Sequence, residues 1–494
     1  MNEEQTLSPF WGLMVRIGPA IIVALFYTTV VLHYSYTPDG TYAYLQYAKN
    51  LANGGGFSFH ANEPTYGVVA PLWTLLIALG TKSGLDPFTI AKTFDILFAS
   101  LSIVIVYTFS ATLIQDKVYA LLVALILSVD ASFLHWAGSG METSFAVILV
   151  VLVVKYAYLG DYHIAGFVAG LLTLVRPEGV LLFLVIQIEN FTLSFLLGRN
   201  RRMFWTSTIL YLVVVLPWLV YAYQTFGSIF PNAGIAANAA YSSFGMVTNA
   251  LFDSLAALGS TQLLMIVLLT IALPLVIAKG GIGTFIAKTM PLLWVIGLLL
   301  CSTVFRVQNL SRYFVPAIPL IIMYAMWGVK QMEITNRWSP KVVTAILGAI
   351  TVISILQCEV VYARTVVPRM NASVSRLERG MKPIALWLQT NSSIDARVTS
   401  PEIAYMEYVS EREVFENRDN SILSKPTRAH GSNEENATPL LSNSTINTDF
   451  VVDRAKWKNR LASDSLRSIM TTQVPNGGST HDDTLFYTLY KVNR

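Results

Sequence analysis

The sequence predicts a mainly α-helical, polytopic membrane protein with about eleven transmembrane helices and a C-terminal α/β domain. The first observation is composition: 54% of the 494 residues are hydrophobic and 13% are charged, whereas soluble globular chains carry about 25% charged residues. The second is where the charges lie. Residues 1–359 and 360–494 each hold 17 Lys and Arg and 15 Asp and Glu, although the second segment is far shorter. We therefore predict a transmembrane domain over 1–359 and a water-soluble domain over 360–494.

A helix of about 20 apolar residues crosses a bilayer. The predicted spans lie near 17–36, 93–114, 118–136, 143–160, 164–175, 179–197, 203–222, 262–278, 289–305, 313–329 and 342–358. No small-residue cleavage site follows the first span, so it predicts a transmembrane helix and not a cleaved signal peptide. Only Arg176–Gly179 separates 164–175 from 179–197, which are either two helices or one broken helix.

Basic loops predict the orientation, because Lys and Arg are enriched in cytoplasmic loops. Three such loops are marked by Arg199, Arg201 and Arg202, by Lys279 and Lys288, and by Lys330, Arg337 and Lys341. Counting spans from them places the N-terminus in the cytoplasm and the C-terminal domain outside, provided that Pro71–Leu79 does not span. We predict that this short segment lies at the outer interface, which makes 37–92 one long first outer loop.

The C-terminal segment alternates strand-like and helix-like patterns, which is typical of a small α/β domain. The predicted strands are Ala396–Thr399, Phe450–Asp453 and Thr484–Val492, the predicted helices are Lys382–Gln389 and Arg454–Ser463, and 420–448 is a predicted loop. A net charge of +4 without a dominant basic stretch gives no indication of nucleic-acid binding. Two cysteines, Cys301 and Cys358, exclude a disulfide framework and have no metal-ligand spacing.

The first outer loop holds the residues with the clearest chemistry. Asp39 follows the first span directly, and Tyr42, Tyr47 and Asn50 come after it at near-helical spacing. A carboxylate at the membrane face tends to be functional when it faces a cavity. The alternative is that Asp39 only caps the start of a helix.

The loop also resembles a known family. Asp39, the stretch YAKNLANGGGFSFHANEPTYG and Pro71-Leu72-Trp73 resemble the first outer loop of bacterial type-C (GT-C) glycosyltransferases, especially the mycobacterial arabinofuranosyltransferases and the protein mannosyltransferase-like group. Four further resemblances follow in the family's order. They are Gly140-Met141-Glu142-Thr143, Leu174-Val175-Arg176-Pro177-Glu178-Gly179, Phe230-Pro231-Asn232 and Arg312-Tyr313-Phe314-Val315-Pro316. The resemblance implies a GT-C fold for the transmembrane domain.

The resemblance implies an inverting hexosyl- or pentosyltransferase in the bacterial cytoplasmic (inner) membrane, surrounded by membrane lipids. The donor would be a polyprenyl-phosphate sugar, and the acceptor a cell-envelope glycan, lipid or protein at the outer face. Asp39 would be the general base, and Arg306, Arg312 and Arg176 would bind the donor phosphate. The alternative for these arginines is snorkelling to lipid headgroups at helix ends.

The other candidate site residues would shape the acceptor site: Glu142, Tyr42, His60, Glu63 and Asn232. We predict that no metal is required. A divalent cation, Mg²⁺ or Mn²⁺, held by Asp39 and Glu142 is the alternative, although two carboxylates make a sparse ligand set.

Two departures from the family pattern keep other functions open. The family often has a second acidic residue at the loop start, where this chain has Gly40, and the segment PNAGIAAN lacks the family's lysine. A catalytically inactive scaffold is therefore one alternative. A lipid-linked glycan flippase or transporter is another; it would predict internal repeats and charges within spans.

Overall fold

A computed structural model describes residues 9–60, 63–196, 201–231, 244–304, 310–336, 338–416, 448–455, 466–475 and 484–492. The chain forms two compact units. The first comprises Met1–Tyr34 and Pro64–Val366, and the second comprises Ser35–Glu63 and Val367–Arg494. The units divide the chain differently from the predicted domains, because half of the first outer loop belongs to the same unit as the C-terminal segment.

Helices dominate the chain. In chain order they are α1 (Pro9–Leu32), α2 (Asp39–Ala52), α3 (Pro71–Lys82), α4 (Pro87–Ile114), α5 (Lys117–Ser128), α6 (Ala131–Trp136), α7 (Thr143–Leu159), α8 (Tyr162–Val175), α9 (Gly179–Phe191), α10 (Arg201–Phe226), α11 (Phe244–Val304), α12 (Leu310–Phe314), α13 (Ile318–Asn336), α14 (Pro340–Val361), α15 (Val367–Ser375), α16 (Lys382–Asn391) and α17 (Ile403–Ser410). The strands are β1 (Arg397–Ser400), β2 (Glu413–Glu416), β3 (Phe450–Ala455), β4 (Leu466–Pro475) and β5 (Thr484–Val492).

In the described part of the chain, 6 helical segments are long and apolar enough to cross a membrane. They are Trp11–Leu32, Pro87–Ile114, Arg201–Phe226, Val247–Pro274, Ser311–Asn336 and Pro340–Asn391. Shorter apolar helices occupy other predicted spans: Lys117–Ser128, Thr143–Leu159, Tyr162–Val175, Gly179–Phe195 and Thr289–Val304. The prediction of a mostly helical, multi-pass membrane protein is therefore confirmed. The count of about eleven transmembrane helices stays a prediction.

Several boundaries differ from the predicted spans. The span predicted at 262–278 and residues 289–304 of the next span lie within α11, which is helical across Pro274 and Pro291. In contrast, residues 164–175 lie in α8 and residues 179–191 form α9, and these two helices pack against each other. The backbone is extended at Arg176 (φ −146°, ψ 120°), where α8 ends before Pro177. A Cβ at Gly179 would lie 2.8 Å from the Thr173 backbone nitrogen, so this close return requires glycine.

The second unit contains a five-stranded mixed sheet of order β2-β1-β3-β5-β4. Strand β1 is parallel to β2 and β3, whereas β5 is antiparallel to β3 and β4. The three predicted strands are present. The helix predicted at Arg454–Ser463 is wrong at its start, because Arg454 pairs with Tyr487 in the sheet. Residues 456–465 lie outside the described part, as do residues 420–447 of the predicted loop. Strand β4 was not predicted from the sequence.

Candidate active site

Three candidate site residues from distant parts of the sequence meet in the first unit. Glu142 Oε1 accepts hydrogen bonds from Arg312 Nη2 at 2.6 Å and lies 3.2 Å from Arg176 Nη2. Arg176 Nη1 also pairs with Glu178 Oε1 at 3.1 Å, and Arg176 Nη2 donates to the Arg312 carbonyl at 3.3 Å. Glu142, Arg176 and Arg312, which are 34 or more residues apart in the sequence, thus form one ionic cluster with Glu178. We call it the arginine cluster (Glu142, Arg176, Glu178 and Arg312).

The turns between helices position this cluster. Arg176 lies where Pro177 ends α8, and Arg312 lies in the short helix α12. Glu142 immediately precedes α7 and follows a turn in which Gly138 and Gly140 have positive φ values of 74° and 85°. Only glycine adopts such angles without strain, so the G-M-E-T motif begins with a residue that the turn requires.

Two buried charges that sequence reasoning did not assign to the site hold the turn before Glu142. Lys92 Nζ donates to the Gly138 carbonyl at 2.7 Å, and Asp95 Oδ2 accepts from the Gly140 amide at 2.9 Å. Both side chains are fully buried. The sequence does contain a signal for them, since these two charges lie three residues apart in α4, which is otherwise uncharged. Buried charges persist only where they are paired or hydrogen-bonded.

The arginine cluster is balanced in charge and almost closed to solvent. Side-chain exposure is 1% for Glu142, 7% for Arg176 and 20% for Arg312. Burial alone would raise the pKa of Glu142, but the guanidinium groups of Arg312 and Arg176 outweigh it and lower that pKa. Glu142 Oε2 and Arg176 Nε have no hydrogen-bond partner among the described residues. These two atoms could therefore form hydrogen bonds with a group outside the cluster.

An apolar cleft adjoins the arginine cluster in the first unit. Arg176 and Glu178 form its polar end, and Trp294, whose indole nitrogen donates to the Glu178 carbonyl at 3.2 Å, forms one wall. The other lining residues are Ala146, Val150, Leu172, Gly179, Leu298, Tyr313 and Pro316. The cleft is therefore apolar along its walls and ends where the Arg176 guanidinium pairs with the Glu178 carboxylate.

Asp39 lies in the second unit, at the first position of α2. Its Oδ1 accepts a hydrogen bond from the Tyr405 backbone amide at 2.8 Å, and the neighbouring Ala404 amide also favours the charged carboxylate. These amides lie in the first turn of α17, where N–H groups have no partner within the helix. Burial is the larger cause that raises the pKa of Asp39, and the negative charge of Glu402 adds to it, so the pKa is about 6. The amides of Tyr405 and Ala404 act in the opposite direction and lower the pKa.

The structure also places Tyr42, His60 and Glu63 in the second unit. The Tyr42 ring packs edge-on against Tyr405, with centroids 4.9 Å apart. His60 Nδ1 lies 3.0 Å from Glu407 Oε1. Burial lowers the pKa of His60, but the bond to Glu407 and the negative charges of Glu407, Glu413 and Glu63 together outweigh it and raise that pKa. Glu63 is exposed. His60 is thus engaged by a carboxylate of α17, which the sequence did not indicate.

The other two candidates, Arg306 and Asn232, lie outside the described residues. Within the described part, no group of three or more His, Cys, Asp or Glu side chains could hold a metal ion. Glu142, one of the two carboxylates proposed for Mg²⁺ or Mn²⁺, already faces two guanidinium groups, whose positive charge opposes a cation there. The residues at this carboxylate do not fit a divalent metal.

Comparison with solved structures identifies the fold. The chain is similar to ArnT from Cupriavidus metallidurans bound to undecaprenyl phosphate (TM-score 0.51, 12% identity, covering 83% of this chain and 86% of that one). It is also similar to the apo oligosaccharyltransferase of Archaeoglobus fulgidus (TM-score 0.57, 12% identity, covering 91% of this chain and 70% of that one). Both are GT-C glycosyltransferases.

This chain has the GT-C fold. The predicted fold type is thereby confirmed, whereas the resemblance to the mycobacterial group stays a prediction. No protein-family model and no curated protein matches the chain. At these identities the likeness establishes the fold alone, and fold alone does not establish activity.

Proposed function

We propose that this protein is a membrane glycosyltransferase that moves a sugar from a polyprenyl-phosphate donor to a cell-envelope glycan, lipid or protein. The reaction inverts the anomeric centre and takes place at the outer face of a bacterial cytoplasmic membrane, where the C-terminal domain also lies. The observation that carries the proposal is the arginine cluster, in which two guanidinium groups meet at one buried carboxylate, in a chain with the GT-C fold. One protein of that fold was solved with undecaprenyl phosphate, a ligand with an anionic head and an apolar tail.

Within the arginine cluster the two guanidinium groups have different roles. Arg312 is the more exposed, so we assign it the contact with the donor phosphate. Arg176 is nearly buried and holds Glu142, Glu178 and the Arg312 carbonyl, so it fixes the direction in which Arg312 points. Glu142 contacts both guanidinium groups and orients them. As the donor bond breaks, negative charge grows on the phosphate, and a preoriented guanidinium stabilises that charge.

Asp39 supplies the base in this proposal. The acceptor hydroxyl loses its proton to the Asp39 carboxylate while its oxygen forms the bond to the anomeric carbon. The bond from that carbon to the phosphate oxygen breaks, and polyprenyl phosphate leaves with both electrons. Attack opposite the leaving group inverts the centre. A pKa near 6 makes Asp39 a stronger base than an ordinary aspartate, yet leaves it ionised at neutral pH. No step requires a metal ion.

The test is transfer of radiolabelled sugar from a panel of polyprenyl-phosphate sugars into a cell-envelope extract by the purified protein. We expect Asp39→Asn to abolish transfer, because an amide cannot accept the proton, while the variant still folds. Exposed Asp395 in the same unit offers a matched control, and Asp395→Asn should transfer normally. Normal turnover by Asp39→Asn would remove the base from the proposal. No transfer with any donor by folded wild type would support the scaffold or flippase alternatives.

Arg312→Ala tests the phosphate contact separately. We expect the apparent KM for the donor to rise at least tenfold and that for the acceptor to change little, because a charge-assisted bond to phosphate contributes about 1.5–3 kcal/mol. Arg369, exposed on α15, is the matched control, and Arg369→Ala should leave both KM values unchanged. An unchanged donor KM in Arg312→Ala would contradict the phosphate role.

A further inference from the structure

Helix α17 of the C-terminal domain packs along α2, the helix that begins with Asp39. Polar contacts occur along the whole length. At one end Asp39 accepts from the Tyr405 amide, in the middle Gln46 and His60 contact Glu407, and at the far end Lys49 Nζ pairs with Glu411 Oε1 at 2.7 Å. Helix α2 is thus fixed in rotation as well as in position.

We propose that the C-terminal domain is a positioning element of the transfer reaction, in which the first turn of α17 fixes the Asp39 carboxylate through the backbone amides of Ala404 and Tyr405. This inference rests on the proposed role of Asp39 as general base. A base must hold its oxygen within hydrogen-bond reach of the acceptor hydroxyl. An ionised carboxylate has about four acceptor sites, so the bond from the Tyr405 amide and the nearby Ala404 amide orient it and still leave capacity for the proton.

The geometry fits a positioned base better than a simple helix cap. The amides that hold Asp39 belong to another helix, 366 positions along the chain, so the contact does not serve to start α2. Tyr42, one turn after Asp39, packs edge-on against Tyr405 and keeps the two helix ends together. Loss of the α17 turn would therefore free the rotamer of Asp39 without removing its charge.

The groups around Asp39 change its pKa, so the contact with α17 can be tested by the titration of Asp39. A purely structural contact would not affect that titration. The amides of the α17 first turn favour the ionised carboxylate, whereas the neighbouring carboxylate of Glu402 disfavours it. Glu402 is itself paired with Arg454 at 3.0 Å, and the hydroxyl of Tyr42, which also faces Glu378 and Tyr408, is a further titratable group near Asp39. Removing an amide and removing the Glu402 charge should therefore shift the titration of Asp39 in opposite directions.

The experiment measures that titration in the full-length protein in two ways. One is the acidic limb of kcat/KM for transfer; the other is the pH dependence of carbodiimide labelling at Asp39, read by peptide mass spectrometry, which needs no substrate. Ala404→Pro deletes one donor at a first-turn position where proline is tolerated, and Ala404→Gly is the matched control that keeps the N–H. We expect the Asp39 titration to move up by about half a pH unit or more in Ala404→Pro and not in Ala404→Gly.

Glu402→Gln keeps the proposal testable if the proline variant does not fold. In Glu402→Gln the midpoint of the Asp39 titration should move to lower pH. Lys49→Ala breaks the ion pair at the far end of the same helix pair and should leave the midpoint unchanged. An unmoved midpoint in both Ala404→Pro and Glu402→Gln overturns the positioning role. That result differs from failure of the proposed function, in which Asp39→Asn transfers normally whatever the labelling shows.

Discussion

The raised pKa of Asp39 predicts an acidic limb in the activity profile. A general base works only when it is deprotonated, and the folded-state pKa is about 6 instead of the ordinary 3.8. The kcat/KM for transfer should therefore be constant above pH 7 and fall about tenfold per pH unit below pH 6. The measurement is initial rates between pH 4.5 and 8. A profile that stays flat down to pH 5 would mean that Asp39 does not take the proton.

Glu142 pairs with both guanidinium groups of the arginine cluster. Loss of its charge should therefore lower the free energy of unfolding more than loss of the Glu178 charge. Glu142→Gln leaves two buried guanidinium groups with one carboxylate, and we expect it to lower the free energy of unfolding by about 2–4 kcal/mol. Glu178 pairs only with Arg176 and is more exposed, so Glu178→Gln should cost about 1 kcal/mol. Thermal unfolding of both variants in detergent checks the ranking; equal losses would contradict it.

The candidate residues show where sequence reasoning stops. Motif order was enough to select Glu142, Arg176 and Arg312, which the structure brings into one cluster. Nothing local in the sequence could indicate the partner of Lys92 or of Asp39, because Lys92 binds a carbonyl 46 positions away and Asp39 an amide 366 positions away. A residue's type gives its chemistry, whereas its partner depends on the tertiary fold.

At the scale of helices, the contact between α8 and α10 depends on glycine. A Cβ at Gly166 would lie 2.5 Å from Ser207 Oγ and against the Ser207 carbonyl. Gly166→Ala should therefore push the helices apart and lower the free energy of unfolding by about 1–3 kcal/mol. Gly348 in α14 is the matched control, because a Cβ there meets nothing within 4 Å.

For that control we expect Gly348→Ala to be neutral or stabilising by up to about 1 kcal/mol, since alanine is the better helix former. Thermal unfolding of the two alanine variants in the same detergent decides the matter. Equal stability of Gly166→Ala and wild type would mean that α8 and α10 are not in close contact in the folded protein.

Apolar length and periodicity were sufficient to predict most helices, but not their ends. The sequence predicts a basic loop between the spans 262–278 and 289–305, yet α11 is helical throughout. Backbone hydrogen bonding does not follow side-chain polarity, so the basic residues do not end the helix. Strand β4 was missed for the opposite reason: its alternation of polar and apolar residues is weak, and its pairing with β5 stabilises it.

At the scale of the whole molecule, the second unit is discontinuous in sequence. Ser35–Glu63 and Val367–Arg494 form one compact unit, although more than 300 residues separate them. Composition could not predict this, because it places a boundary along the chain and cannot report which distant segments share a core. The functional consequence is that the segment carrying Asp39 folds with the C-terminal domain.

Because the second unit is discontinuous, a core substitution in its C-terminal segment should expose the peptide bond after Lys49, in its N-terminal segment, to protease. Met406 is fully buried in the core of the second unit, and Met406→Asp places an unpaired charge there at a cost of several kcal/mol. Helix α2, with 14 residues, is marginal without tertiary partners. Trypsin should therefore cleave after Lys49 much faster in this variant than in wild type, while cleavage after exposed Lys82 of the first unit stays unchanged. Ile394→Asp, at an exposed position of the same unit, should leave Lys49 protected; equal cleavage at Lys49 in all three proteins would show that the two segments do not fold as one unit.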